Sequence, residues 1–344
     1  MHLLLSWHAV WLAGHFARGR FLALVGADHG HKQQYHGSLC LVPMYLALGD
    51  VLFASYSALV FPPRVRRDVK ALVLSVREAF ARSLNEYTMF AGVVNALAGW
   101  GSVKHVFSLL DYAQEVNDTL HRPIPGLPDF SDVFALNWRM AVQASRRSDQ
   151  PPKRMLLSGT LFHARLFETS TEDGDFVLVP VALSYPMYDV QATGAVKYGG
   201  LGSHVALASA RIVLGLCGGT DEDGAADCRQ ALAAFSQCVG ITHNAGSDLV
   251  EELLALFFLL DAYSRSDDRE KRRLEALPGF SSTQLFFLTW CFMRCAGTQS
   301  TQGDADPCSP VLRHVKAFSE AFECVQGTRL NTAHRCELFP QVSG

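Results

Sequence analysis

The chain has 344 residues, of which 49% are hydrophobic and 18% charged, and its formal net charge is −3. Disorder requires low hydrophobicity and high net charge, so this composition excludes a mainly disordered chain. The near balance of acidic and basic residues also excludes a bulk basic field, and we expect no nucleic-acid partner.

The predicted elements are mostly helical. The apolar start, residues 1–24, contains His2 and His8 and lacks a basic leader, which favours an amphipathic helix over a cleavable signal peptide. Apolar residues at helical spacing predict helices over 64–85, 131–145, 198–214, 225–239, 247–264, 281–295 and 315–324. Residues 161–168 and 176–181 are strand-like around a turn at 172–175 and predict one hairpin. The pattern therefore predicts a mainly α protein with a small β-hairpin, an α+β fold.

No apolar run is expected to reach the roughly 18–20 residues that a bilayer-spanning helix needs. We therefore expect no transmembrane segment in this chain.

Nine cysteines are many for a cytosolic protein, and none forms the CxxC pair of a zinc ribbon or a thioredoxin-type site. Their spacing favours scattered disulfides in an oxidising compartment, with buried free thiols in a reduced protein as the alternative. Because nine is odd, at least one thiol is unpaired within the chain. Cys217 and Cys228 could bridge a short loop, or each could be free.

Six short stretches and a cysteine follow one another in order: 177–180 (VLVP), 197–202 (KYGGLG), 277–279 (LPG), 284–288 (QLFFL), 309–310 (SP), 318–324 (FSEAFEC) and Cys336. In this order and spacing they resemble the neprilysin and endothelin-converting-enzyme family of zinc metallopeptidases. The resemblance covers residues 20–339 and corresponds to the C-terminal half of a family member, which carries the metal. It implies a thermolysin-like (zincin) catalytic lobe. Residues 1–150 would be a helical segment like the family's interdomain helices, and 151–340 the metallopeptidase C-terminal domain.

The resemblance also implies a cell-surface or secreted protein, and we expect the family's N-terminal portion with its membrane anchor to be absent. In the family, a His-Glu-x-x-His helix holds zinc through two histidines one turn apart, and its Glu activates water. The positions that match are Leu207, Ala208 and Arg211. Leucine has no lone pair, and arginine is a permanent cation.

The remaining site positions are replaced as well. The third metal ligand corresponds to Ser247, and the acid that orients a ligand histidine corresponds to Glu251. The histidine that stabilises the family's oxyanion corresponds to Cys308. None of the 13 histidines in the chain is followed by glutamate, so no His-Glu-x-x-His exists in any register. We therefore predict no bound zinc and no other cofactor.

Other histidines and cysteines offer weaker alternatives. His29, His31 and His36 form a small cluster in which His29 and His31 could chelate a metal, but a solvated polar loop is the preferred interpretation. His204, one turn before the first replaced ligand, is interpreted as a packed residue. Cys308 would need a base such as His314 to act as a nucleophile, a role we do not favour.

The same resemblance implies that some of the family's peptide-binding residues are kept in this chain. The family holds peptide backbone with an Asn-Ala pair on an edge strand, which matches His163 and Ala164. The arginine that binds the substrate carbonyl corresponds to Arg313. Ordinary strand and loop residues are the alternative for all three.

The resemblance further implies a disulfide between Cys238 and Cys336. It assigns Cys40, Cys295 and Cys324 to cysteines whose partners lie in the family's N-terminal part. Cys291 and Cys308 have no counterpart.

The favoured function is that of a non-catalytic family member that lives outside the cell and binds peptides or an active relative. One alternative is a working zinc metalloendopeptidase that cleaves small peptides with unrecognised ligands. Another is a truncated fragment of such an enzyme that does not fold alone.

Overall fold

The computed structural model describes residues 44–49, 61–87, 90, 93–94, 97, 129, 131–147, 166–171, 174–218, 225–239, 247–267, 271–295 and 308–336. The chain divides into two compact units. One comprises Met1–Val60 and Phe107–Glu168, and the other comprises Phe61–Val106 and Thr169–Gly344. The predicted boundary between residues 150 and 151 falls outside the described residues and stays a prediction.

The described elements are mainly helical, as predicted. The helices are α1 (Pro63–Glu86), α2 (Phe134–Arg147), α3 (Gly194–Lys197), α4 (Ser203–Gly218), α5 (Ala225–Val239), α6 (Ser247–Ser264), α7 (Ser282–Cys295), α8 (Ser309–Leu312) and α9 (Lys316–Ala321). Most bounds lie within a few residues of the predicted ones. The last predicted helix, 315–324, is shorter than expected and ends at Ala321, where Phe322 leaves helical geometry.

The first unit has a small apolar cluster of its own. Ala47, Leu48, Ala141 and Ala144 are buried together, with Met44, Trp138 and Val142 packed against them.

The core of the second unit forms where α4, α6 and α1 pack together. The side chains of Leu72, Val76, Phe80 and Leu84 on α1 are buried, as their spacing predicts. The ring of Phe80 meets that of Phe258 on α6, with ring centroids 4.2 Å apart. Because α6 is apolar on nearly every side, it can only be stable when neighbouring helices cover it.

The predicted hairpin is present but shifted. Its strands are β1 (Phe167–Ser170) and β2 (Asp175–Leu178), paired in a two-stranded sheet. The second strand was predicted to reach residue 181, yet Pro180–Leu183 forms a 3₁₀ turn. Proline has no amide hydrogen to donate to a strand ladder, so Pro180 ends the pairing. Residues 161–165 of the predicted first strand lie outside the described residues.

A buried ion pair attaches this hairpin to α1. The guanidinium of Arg77 donates to the carboxylate of Asp175, and Arg77 also lies over the ring of Phe176 at 4.8 Å. Arg77 is 1% exposed. A buried charge of this kind is tolerated when a partner of opposite charge and good geometry accompanies it.

The segment with the sequence KYGGLG forms a π-helical turn, Tyr198–Gly202, between α3 and α4. Two side chains attach this turn to α1: Lys197 Nζ lies 2.8 Å from Asp68 Oδ2, and the Tyr198 hydroxyl lies 2.9 Å from Ser75 Oγ. Gly199 and Gly200 let the turn pack closely against the backbone of Phe286 and Met187. The turn therefore fixes where α4 begins.

The continuous helical segment Gly194–Gly218 corrects the expectation that no apolar run is long enough to span a bilayer. By length and composition it is apolar enough to cross a bilayer, although 67% of its most apolar window is buried inside the protein. Within the described part of the chain it alone meets that test. Its burial is that of a core helix, and such helices share the composition of membrane spans.

Candidate functional site

The three positions predicted to replace the zinc-binding motif lie on α4. Leu207 is partly buried and Ala208 is fully buried. Arg211 lies one turn beyond Leu207 and points to α6, where its Nε donates to Glu251 Oε2 at 2.7 Å. The two side chains are 32% and 17% exposed. An ion pair between α4 and α6 thus joins two of the predicted site positions.

A second ion pair lies beside the first. Arg294 Nε on α7 donates to Glu252 Oε2 at 3.1 Å, and the Arg294 guanidinium stacks on the Trp290 ring at 3.5 Å. His204 on α4 is close enough to sense this cation. Burial, and then the charge of Arg294, lower the pKa of His204 to about 4, so the imidazole is neutral at physiological pH. This supports the interpretation of His204 as a packed residue.

The donor set at these positions does not suit a zinc ion. Zinc needs thiolate, imidazole or carboxylate ligands, and here the carboxylate of Glu251 already faces the cation of Arg211. Ser247 is the first residue of α6, and only its backbone is described. Across the described ranges, no three His, Cys, Asp or Glu side chains are grouped so as to hold a metal. His29, His31 and His36 lie outside those ranges.

The position predicted to replace the oxyanion donor is a half-cystine. Cys308 directly precedes α8, is buried, and is bonded to Cys291 on α7. A sulfur in a disulfide has no thiol proton to lose, so Cys308 is not a nucleophile and that alternative is wrong. His314 accepts a hydrogen bond at Nε2 from Arg313 Nε, at 3.1 Å. Burial, and then the Arg313 charge, lower the pKa of His314.

The predicted peptide contacts remain predictions. His163 and Ala164 lie outside the described residues. Arg313 is described, and it is held against His314 at the end of α8.

Disulfides link six of the described cysteines in three pairs. Cys238 and Cys336 are bonded across 98 residues, as the resemblance implies, with their Cα atoms 5.7 Å apart. Cys217 and Cys228 are also bonded, which resolves the alternative left open by the sequence. The third pair, Cys291 and Cys308, was missed. Nothing in the local sequence connects α7 with the start of α8, so a fold was needed to find it.

Of the three cysteines assigned to distant partners, the structure describes the side chain of Cys324 alone. It is a free thiol, partly buried, in the turn after α9.

Comparison with known proteins gives consistent matches. No protein-family model matches the chain. It is 21% identical to Neprilysin-3 of Drosophila melanogaster over 380 aligned positions, which cover 92% of this chain and 45% of that protein. It is 23% identical to the endothelin-converting enzyme homologue of Locusta migratoria, over 94% of this chain and 49% of that one. A shorter segment of 78 residues, 19% of this chain and 10% of that protein, is 36% identical to endothelin-converting enzyme 1 of Cavia porcellus.

A solved structure shows a similar fold. The zinc metalloprotease Zmp1 of Mycobacterium tuberculosis, determined by cryo-electron microscopy in an open state, superposes with a TM-score of 0.51 at 16% identity. The likeness covers 85% of this chain and 50% of Zmp1. At this identity it indicates the fold alone. The chain spans about half the length of the curated relatives that it matches over most of its own length.

The matched relatives bear the same two family names as the ordered motifs suggested, and the matches run through nearly the whole chain. The shared zincin-like fold agrees with them. These matches and the similar fold support the resemblance of this chain to the neprilysin and endothelin-converting-enzyme family.

Proposed function

We propose that the chain is a non-catalytic member of this family that acts outside the cell by binding a peptide or a protein. The observation that carries this proposal is the ion pair between Arg211 and Glu251, at positions where the family resemblance places a zinc ligand and its supporting acid. The complete sequence, which has no His-Glu-x-x-His, supports it independently.

The positive charge of Arg211 opposes the binding of a metal ion at these positions. A dication would be repelled by the Arg211 guanidinium, which cannot lose its proton at physiological pH. Ala208 has no carboxylate with which to activate water, and Leu207 has no donor atom. Zinc bound elsewhere in the chain would therefore lack the general base that the family uses.

The helix packing, the candidate peptide contacts and the disulfides support a binding role outside the cell. The helix α4 packs against α6, and the ion pair between Arg294 and Glu252 links α7 to α6 beside these positions. His163, Ala164 and Arg313 are the residues we propose to contact a peptide, and an active family member is the alternative partner. Several disulfides in one chain are typical of secreted and cell-surface proteins, so the three described disulfides support an extracellular location.

Metal content tests the proposal directly. After dialysis against a metal-free buffer, elemental analysis should find far less than one zinc per folded chain, and small peptides should remain uncleaved. One tightly held zinc per chain, together with peptide hydrolysis that a chelator abolishes, would refute the proposal and favour an active metalloendopeptidase.

Rebuilding the site tests the assigned positions. The variant L207H/A208E/R211H/S247E restores two histidines one turn apart, a general base and a carboxylate on α6. Glu251, released from Arg211, can then accept a hydrogen bond from a ligand histidine. Titration calorimetry should detect zinc binding that is absent in the parent chain. The triple variant that keeps Ser247 is the matched control and should bind zinc more weakly. If the quadruple variant folds but binds no better than the parent, the assigned positions are wrong.

A further inference from the structure

The loop between α6 and α7 carries a run of three basic residues. Lys271, Arg272 and Arg273 follow one another directly in the part of this loop that the structure describes. Neither arginine belongs to a helix or a strand, and both side chains are exposed. None of the residues used in the proposed function lies in this loop, so that function does not account for the run.

Two other pairs of adjacent basic residues lie in described helices. Arg66 and Arg67 are near the start of α1, and Arg146 and Arg147 end α2. Proteins that bind a peptide segment as an added strand require it to be extended, and a helical segment must first unfold to meet this requirement. Among the basic pairs that the structure describes, the one at 272–273 is therefore the most suitable for a protease.

The backbone of this pair is accessible. In the described part of the loop, backbone hydrogen bonds join Leu274 to Leu277 and Leu277 to Phe280, so they begin after the pair. Lys271 is held at the end of α6, where its Nζ donates to the carbonyl of Ser264 at 2.7 Å. Proteases preferentially cut exposed loops whose backbone is neither buried nor hydrogen-bonded. The two arginines, rather than Lys271, are thus available to a protease.

The chemistry of the pair indicates the class of protease. Both guanidinium groups are permanent cations, and each can form two parallel hydrogen bonds with a carboxylate. A carboxylate in the specificity pocket of a serine protease selects a basic residue directly before the bond that is cut. A protease with acidic pockets for two successive residues would therefore recognise Arg272 and Arg273 together.

We infer that the bond between Arg273 and Leu274 is a processing site for a protease specific for paired basic residues, and that cleavage gives a two-chain form of the protein. Hydrolysis consumes one water molecule. Its oxygen joins the carbonyl carbon of Arg273 as the C–N bond breaks, and the products are a carboxylate at Arg273 and an ammonium group at Leu274. No other reagent is required. The inference concerns the maturation of the chain and goes beyond the proposed binding role.

The two chains should stay together after cleavage. The disulfide between Cys238 and Cys336 joins the segment before the cut to the segment after it, whereas each of the other two described disulfides lies on one side of the cut. The helices on either side of the loop also touch, since the rings of Tyr263 and Phe286 stack with their centroids 5.0 Å apart. Cleavage should therefore free the ends of the loop without releasing the C-terminal segment.

Digestion with kexin, a protease specific for paired basic residues, tests this inference. The folded, disulfide-bonded chain is incubated with the enzyme, and the products are separated on denaturing gels with and without reductant. With reductant, a fragment whose sequence begins at Leu274 should appear. Without reductant, this fragment should remain attached to the rest of the chain. The pair at 66–67 in α1 should stay uncut, because it is helical.

Substitutions within the loop provide a matched pair of variants. The double variant Arg272→Gln/Arg273→Gln should release the fragment at least about 100-fold more slowly, because an acidic pocket rejects a substrate that lacks its partner. Glu275→Gln changes a charge in the same loop but leaves the pair intact, so this variant should be cut at close to the parent rate. All three side chains are exposed, and both variants should therefore keep the fold.

Three results would overturn the inference. The first is a folded parent chain that stays intact at the bond between Arg273 and Leu274. The second is a double variant that is cut there as fast as the parent. The third is a fragment beginning at Leu274 that separates from the rest of the chain without reductant.

Discussion

Arg211 shows how far one side chain can change the chemistry of a helix. Its guanidinium projects from α4 to α6 and neutralises Glu251 at a distance of 2.7 Å. A histidine there would offer a lone pair, whereas arginine offers only donors and a fixed positive charge. The same backbone can therefore present a metal ligand or a structural ion pair, depending on this residue.

His204, two turns earlier on α4, makes stability depend on pH. Its pKa is about 4 in the folded protein, against an ordinary value of about 6.5 in an unfolded chain. Between these values the unfolded state binds more protons, so stability falls as the pH falls through this window. In His204→Leu this contribution should vanish. The loss of unfolding free energy from pH 7 to pH 5, measured with urea, should be smaller in the variant by about 1–2 kcal/mol.

The range from pH 7 to pH 8 provides the control for this measurement. Both states carry a neutral His204 there, so parent and variant should change stability equally. An equal loss in the two proteins between pH 7 and pH 5 would show that His204 is not responsible.

Among the elements, the π-helical turn at Tyr198–Gly202 is the one that positions α4. A Cβ on Gly200 would lie 2.4 Å from the Met187 carbonyl oxygen, and one on Gly199 would lie 2.6 Å from the Phe286 carbonyl oxygen. Both obstacles are backbone atoms and cannot rotate away. The two glycines of the KYGGLG segment therefore have a packing role, because they allow α7 and the 184–188 loop to approach the turn.

Gly200→Ala should destabilise the protein by about 1–3 kcal/mol, the usual range for overpacking a well-filled site. Thermal unfolding measures the effect. Gly218→Ala is the matched control at the end of α4, where an added Cβ meets nothing within 4 Å. That substitution should be neutral or slightly stabilising, because alanine has less conformational freedom in the unfolded chain. Equal melting temperatures for the two variants would contradict the packing role.

Among the described disulfides, the bond between Cys238 and Cys336 closes the longest loop. It joins α5 to the C-terminal part of the chain across 98 residues, whereas the other two described disulfides span 11 and 17. In the chain-entropy model, a disulfide stabilises mainly by restricting the unfolded chain, and the effect increases with loop length.

Replacing both cysteines of this pair with alanine should lower the free energy of unfolding by about 4–5 kcal/mol in non-reducing buffer. Chemical denaturation of the parent and the double variant gives the difference. In the presence of a strong reductant the difference should nearly disappear, since the parent then lacks the bond as well. A difference that persists in reductant would mean that the two side chains contribute by packing instead.

The sequence alone was sufficient to identify the long helices and the missing motif, but not the short helices Gly194–Lys197 and Ser309–Leu312. Helical spacing places Leu72, Val76 and Phe80 on one buried face of α1, because local periodicity reflects which side meets the core. The absence of His-Glu-x-x-His is likewise a property of neighbouring residues. Pro180 shows the limit of such patterns. The strand-like composition of residues 176–181 predicted a strand that continues to residue 181, but Pro180 has no amide hydrogen for the ladder and the chain forms a 3₁₀ turn there.

Tertiary structure decided which distant residues meet. Arg211 and Glu251 are 40 residues apart, and Cys291 and Cys308 are separated by 17, so neither pairing appears in a local pattern. Cys238 and Cys336 were paired only through the family resemblance, since their own sequence context carries no partner information. Helical periodicity shows that a face is buried but does not identify the helix that covers it. The contacts of the candidate site arise where α4 packs against α6 and where Arg294 of α7 reaches Glu252 of α6.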